Sequence, residues 1–237
     1  MCIRDSIDPT LFGNLPSEAV PDPRTRDMGG RFLVNKSAID RSKICEIAKQ
    51  MPKGSHLHLH FNSELPAEVL FPHARKLHDT MFVRSTKPLC ALSDFRDTEM
   101  VFNVLPKEIS KADCFSAMYN PDVKDKDNSP WMLWSDFRNR FLENCPPEMT
   151  FKDLPEGLDA PEFWAQNKMI ITADNGWQTH NGAWACFNQG TRAFKGLLNY
   201  EGVYRWYIGH AIDNMIRDKV MYAELRPMLL DLSLIHI

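Results

Sequence analysis

The run from Met51 to His60, Met-Pro-Lys-Gly-Ser-His-Leu-His-Leu-His, constrains this chain more than any other segment. Side chains two residues apart on a β-strand point to the same face, so the histidines form one row and the leucines the opposite one. Neighbouring imidazoles held in this way can bind one divalent metal ion, because Zn²⁺ accepts neutral histidine nitrogen at about 2.0–2.1 Å. The run predicts a metal-binding strand end. A plain surface strand with exposed histidines, or a basic loop, is the alternative, since this spacing alone is a weak signal.

The composition is that of an ordinary globular protein. Of the 237 residues, 43% are hydrophobic and 25% are charged, which is enough apolar material for a sizeable core. Acidic and basic residues are interleaved and sum to a net charge of −3, so the charge does not predict a nucleic-acid partner. No apolar run approaches the roughly 18 residues of a membrane span. The six cysteines include no C-x-x-C pair, which argues against a cysteine zinc site.

Helical and β-prone segments alternate along the chain, which predicts an α/β fold. Helical periodicity is found over 36–49, 66–77 (with a break at Pro72), 130–142, 183–195 and 202–218. The last of these has a wide apolar stripe and leads directly into the β-rich run Lys219–Pro227.

Changes in composition predict the domain boundaries. Residues 1–35 are expected to form an extended N-terminal arm. Residues 80–128 alternate short β-prone pieces with polar turns, and we interpret them as a subdomain inserted between the two parts of the main domain, 36–79 and 129–231. Residues 1–6 and 232–237 look like translated adaptor ends and are expected to be non-native. The start of the chain lacks the apolar core of a signal peptide.

Five segments, in order, resemble the adenosine deaminase family, and most closely its branch of adenosine-deaminase-related growth factors. They are Met51–His60, Trp131–Phe141, Trp184–Phe187, Lys195–Glu201 and Tyr222–Arg226. The resemblance covers roughly residues 44–231. It implies the TIM barrel of metal-dependent hydrolases, with chemistry at the C-terminal ends of the strands. Only the first strands and helices of that barrel are expected here, so the chain resembles an N-terminal fragment.

The resemblance implies that His58 and His60 are zinc ligands. His56 falls where the family has an apolar residue, and we expect it to be held by hydrogen bonds in the core. The implied reaction is hydrolytic deamination of adenosine or deoxyadenosine to inosine and ammonia, with zinc lowering the pKa of a bound water. The family's other catalytic groups lie on later strands, so none is assigned and they are expected downstream. Because catalytic zinc has three protein ligands, the 237-residue chain itself is expected to be inactive.

Two further residues are candidates for substrate contact. Asn62 lies close to the position of a family aspartate that contacts the ribose, and it is interpreted either as a neutral replacement or as a turn residue. Trp184 matches a tryptophan near the nucleoside pocket, and ordinary aromatic packing is an equal alternative. Glu224 and Arg226 share a strand face, where we expect an interior ion pair rather than catalysis.

Two other functions remain as alternatives. Residues 80–128 correspond in position to a region that the growth-factor branch uses for receptor binding and dimer contacts, so a non-catalytic, receptor-binding protein is one. A related purine or AMP deaminase on the same barrel is the other, since fold does not determine substrate. The branch is generally secreted, which implies an extracellular location.

Overall fold

The computed structural model describes residues 36, 39–60, 64–123, 128–171, 180–198 and 200–226. The fold is a mixture of helices and strands, as the sequence predicted. The strands are β1 (Ser55–His60), β2 (Met81–Ser85), β3 (Met100–Val104), β4 (Met132–Leu133) and β5 (Tyr222–Arg226). The helices are α1 (Lys43–Gln50), α2 (Phe71–Ala74), α3 (Leu92–Asp97), α4 (Trp134–Asn144), α5 (Ala160–Asn167), α6 (His180–Leu198) and α7 (Glu201–Arg217). The predicted arm and the two ends lie outside the described residues.

The described strands form two separate sheets and no closed barrel. β1 pairs in parallel with β5, the last strand along the described chain. Helix α7 leads directly into β5. Parallel neighbours of this kind need a long crossover connection, which here includes α7. The α/β class is therefore confirmed, whereas the TIM barrel stays a prediction.

The second sheet is antiparallel, in the order β3-β2-β4. Its central strand, β2, is buried along almost its whole length, and Phe82 and Val83 pair with both neighbouring strands. The long helix α6 packs across β3. This sheet and α6 therefore form the main body of the described structure, and the β1–β5 pair lies beside it.

A cluster of aromatic rings fills the core between these elements. Its members are Phe71, Phe95, Phe102, Phe115, Trp134, Phe137, Phe141 and Trp164. Ring centroids are 5.0 Å apart for Phe102 and Trp134, and 4.8 Å apart for Phe115 and Phe137, distances at which aromatic pairs attract. Phe95, Phe102 and Phe115 come from the segment 80–128 and share this core with the rest of the chain. The assignment of residues 80–128 as an inserted subdomain stays a prediction.

Local capping explains where two helices begin. Ser42 Oγ accepts a hydrogen bond from the Cys45 backbone N–H at 3.1 Å and starts α1. Asp159 and Glu162 form a reciprocal capping box at the start of α5, with bonds of 3.1 and 3.2 Å. The Glu162 carboxylate is fully buried and accepts from Arg75 Nε at 2.7 Å, which fastens α5 to the segment after α2.

The helix predicted over 66–77 is broken, but not at Pro72. A 3₁₀ turn over Ala67–Val69 ends at Leu70, and α2 begins at Phe71. Pro72 lies in the first turn of α2, where a helix needs no N–H donor, so proline is tolerated there. Of the helices that the structure describes, none is long and apolar enough to cross a membrane.

Candidate metal centre and adjacent cleft

The strand that carries the histidines begins at a glycine with a left-handed backbone. Gly54 has φ +69°, a conformation that glycine adopts without steric cost. Its carbonyl accepts from the Met221 N–H at 2.8 Å, and the Lys53 N–H donates to the Lys219 carbonyl at 2.9 Å. The turn between α7 and β5 is thus fixed against the start of β1, and it sets the register of the two strands.

His58 and His60 lie side by side on one face of β1. Their Nε2 atoms are 3.3 Å apart, and their ring centroids are 4.9 Å apart. Two nitrogens bound to one tetrahedral zinc at about 2.05 Å each would be separated by about 3.3–3.4 Å. The two imidazoles therefore have the spacing of two corners of a zinc site. Within the described ranges, no group of three or more His, Cys, Asp and Glu side chains is arranged to hold a metal.

His56 does not join this pair, and the expectation that core hydrogen bonds hold it is wrong. Its side chain is exposed, because β1 pairs with a single strand and only Leu59 in it is even partly covered. His56 acts electrostatically on Glu64 instead. Burial raises the pKa of the Glu64 carboxyl, and the nearby His56 opposes that shift while Asp218 adds to it.

On the neighbouring strand, Glu224 and Arg226 form the ion pair that the sequence predicted. Arg226 Nη2 donates to Glu224 Oε2 at 2.6 Å, and the Tyr222 hydroxyl donates to Glu224 Oε1 at 3.2 Å. These two hydrogen bonds lower the pKa of the Glu224 carboxyl. Both side chains are about two-fifths exposed, so the pair lies at the surface of the described structure rather than in its interior.

A cleft of about 650 Å³ opens beside His60. That volume is within the range of small-molecule sites. His60 and Glu64 line one side of it, and Phe187 and Phe194 of α6 line another. The remaining walls are mostly apolar, with a few polar side chains among them, including Thr191 and Lys195. The structure therefore joins one predicted metal ligand to a mainly apolar cavity.

The cleft depends on residues for which the sequence predicted no binding role. Glu64 lies outside the family-like segments, and Phe187 ends the segment Trp184–Phe187 without being a predicted ligand contact, yet both line the cleft. Trp184 stacks on Phe187 with ring centroids 5.2 Å apart and planes 18° apart, so it supports the wall of the cleft from outside. Substrate contact by Trp184 stays a prediction. Asn62 lies outside the described residues, and no catalytic acid or base is assigned among the residues that the structure does describe.

Comparison with known proteins gives relatives of one kind, although no family model matches the chain. Adenosine deaminase 2 of Sus scrofa is 25% identical to it over 201 residues. The proteins of the same name from Pongo abelii and Homo sapiens are each 23% identical over 201 residues. These matches cover 84% of this chain and 32% of each relative, so the chain spans about a third of the length of the curated relatives it matches. The chain is thus similar to adenosine deaminase 2, which confirms its resemblance to the adenosine deaminase family.

Proposed function

We propose that this chain contributes two metal ligands and part of the substrate cleft of a zinc-dependent deaminase that converts adenosine or deoxyadenosine to inosine and ammonia. The observation that carries the proposal is the 3.3 Å separation of the two Nε2 atoms beside the cleft. The names of the relatives support the choice of adenosine. Zinc fits the donor set, because neutral imidazole nitrogen is among its preferred ligands.

His58 and His60 would hold the zinc, which would act as a Lewis acid and lower the pKa of a bound water. The chain's own residues provide position and environment. β1 holds both Nε2 atoms toward the same point, and the mainly apolar walls of the cleft lie next to His60. Phe187 and Phe194 offer aromatic surfaces for a planar base. Glu64, Thr191 and Lys195 are the polar groups within reach of a sugar.

Deamination is proposed for the complete enzyme. The described residues bring together two ligands, whereas a catalytic zinc has three from the protein. We therefore expect weak zinc binding and no turnover of adenosine by the 237-residue chain.

The proposal is tested by titrating the 237-residue chain with zinc and following its histidines by long-range ¹H–¹⁵N NMR. We expect the Nε2 resonances of His58 and His60 to shift together and to saturate at one ion per chain. The resonances of His73, His78 and His210 serve as internal controls and should not move. If zinc shifted the control resonances first, or shifted the His58 resonance without that of His60, the two histidines would not share one zinc site.

The aromatic wall of the cleft gives a second test. Replacing Phe187 with alanine should weaken adenosine binding about fivefold or more, because a stacked ring contributes about 1 kcal/mol beyond the area it buries. Replacing Trp184 should have a smaller effect, since Trp184 contacts the wall rather than the cavity. Equilibrium dialysis with labelled adenosine measures both. Met118→Ala is the matched control, because Met118 is 88% exposed and does not line the cleft. Equal affinity in the wild type and Phe187→Ala would exclude this cleft as the adenosine site.

Three predictions from the resemblance extend this proposal. We propose that the protein acts outside the cell, that it forms homodimers, and that residues 80–128 contact a partner or a cell-surface receptor. Together with the zinc site, they describe a secreted purine hydrolase.

A further inference from the structure

We propose that Glu224 is a positioning residue for His58. The Glu224 carboxylate favours the tautomer of the His58 imidazole that leaves Nε2 open to a metal. The inference rests on the proposed zinc site. In this proposal a side chain of β5, a strand that carries no metal ligand, positions a metal ligand on β1.

The register of the two strands places these residues next to each other. His56 is paired with Ala223, and Leu59 is paired with Leu225, so two residues of β1 lie opposite one residue of β5. The single residue on the β5 side is Glu224, and the two on the β1 side are Leu57 and His58. An irregularity of this kind re-aims a side chain locally, and such irregularities are found next to functional sites.

Hydrogen bonds hold the Glu224 carboxylate in place at this point. Arg226 donates to one of its oxygens at 2.6 Å and Tyr222 to the other at 3.2 Å. The same guanidinium reaches across to the Leu57 carbonyl at 3.4 Å, which ties the carboxylate to the irregular part of β1.

The chemistry of a histidine ligand explains why a carboxylate here would matter. To bind a metal through Nε2, His58 must carry a lone pair on that nitrogen and its proton on Nδ1, whereas in the 3.3 Å contact with His60 Nε2 either nitrogen can be the donor. A metal-binding histidine nearly always gives its other ring N–H to a carboxylate, a carbonyl or water, and losing that partner costs about 10–100-fold in metal affinity. Glu224 is the carboxylate that the strand pairing brings beside His58.

The first measurement is zinc affinity by competition with a chelator, using the full 237-residue chain. Glu224→Gln should bind zinc about tenfold more weakly, the lower end of the usual range because the site is partly exposed. Glu201→Gln makes the same chemical change on an exposed residue of α7 and should bind as the wild type does. Arg226→Leu removes the ion pair but keeps the carboxylate, so it should lose less affinity than Glu224→Gln. Equal losses in Glu224→Gln and Arg226→Leu would mean that the pair only fastens the two strands, and would overturn the proposal.

The second measurement needs no metal. In wild-type protein above about pH 8, where histidine is neutral, long-range ¹H–¹⁵N NMR should show the His58 proton on Nδ1. In Glu224→Gln a larger share of that proton should appear on Nε2, while His73 is unchanged. The same tautomer populations in both proteins would overturn the inference. If the wild type bound no zinc, the proposed function would fail, and the tautomer measurement would still decide the role of Glu224.

Discussion

Gly196→Ala is expected to destabilise the protein by about 4 kcal/mol or more, the range of severe core substitutions. Gly196 lies on the side of α6 that packs against β3. A Cβ atom added there would come within 3.0 Å of the carbonyl O and C of Phe102 and of the Asn103 backbone N, closer than real Cβ atoms approach. The contact is with backbone atoms of a strand, which cannot rotate away as a side chain would. The helix and the sheet would have to separate, exposing part of the aromatic core.

Chemical denaturation, monitored by circular dichroism, measures this effect. Gly209→Ala is the matched control, because Gly209 lies in helix α7 and nothing is within 4 Å of the added Cβ. That variant should be as stable as the wild type or up to about 1 kcal/mol more stable, since alanine is the better helix former. If Gly196→Ala were as stable as Gly209→Ala, the close packing of α6 on β3 would be refuted.

His58→Ala and His60→Ala are each expected to weaken zinc binding about a hundredfold, or ~2.7 kcal/mol. Each variant leaves a single imidazole on the strand, and one imidazole on a surface strand holds zinc poorly. Because the two ligands share one ion, the double variant should lose little more than either single variant. Such strong non-additivity is the signature of residues that act as a unit. Chelator competition with zinc measures all three variants.

His56→Ala is the matched control, since His56 is on the same strand, is exposed and lies outside the facing pair. It should bind zinc within about twofold of the wild type, because only surface electrostatics change. Independent, additive losses in the two single variants would mean that His58 and His60 bind separate ions. If His56→Ala lost as much zinc affinity as the other two variants, all three histidines of β1 would be metal ligands.

Local signals in the sequence predicted several elements well. The apolar stripe of α7 is visible over 202–218, and the structure has the helix at Glu201–Arg217. The short β-prone pieces predicted within 80–128 agree with the strands Met81–Ser85 and Met100–Val104. In contrast, α5 was missed, although Asp159, Pro161 and Glu162 form a capping box with an early proline. Attention to caps as well as to apolar periodicity would have found it.

The sequence by itself determined which side chains share a face at the strand end. Alternation along β1 is enough to put His58 and His60 on one face, because the side-chain period of a strand is two. The five ordered segments were enough to indicate the family that the relatives then supported. Both kinds of information are local, since each depends on residues that are neighbours along the chain.

The tertiary structure decided everything that depends on contacts between distant segments. The cleft exists because residues 64–67, 169–171 and α6 converge beside His60, and no periodicity in any one of them predicts that meeting. The position of Glu224 opposite His58 depends on the irregular register of two strands that are more than 150 residues apart. The need for glycine at Gly196 arises only where α6 meets the backbone of Phe102. Spacing along the chain specifies which groups share a face, whereas packing specifies what that face meets.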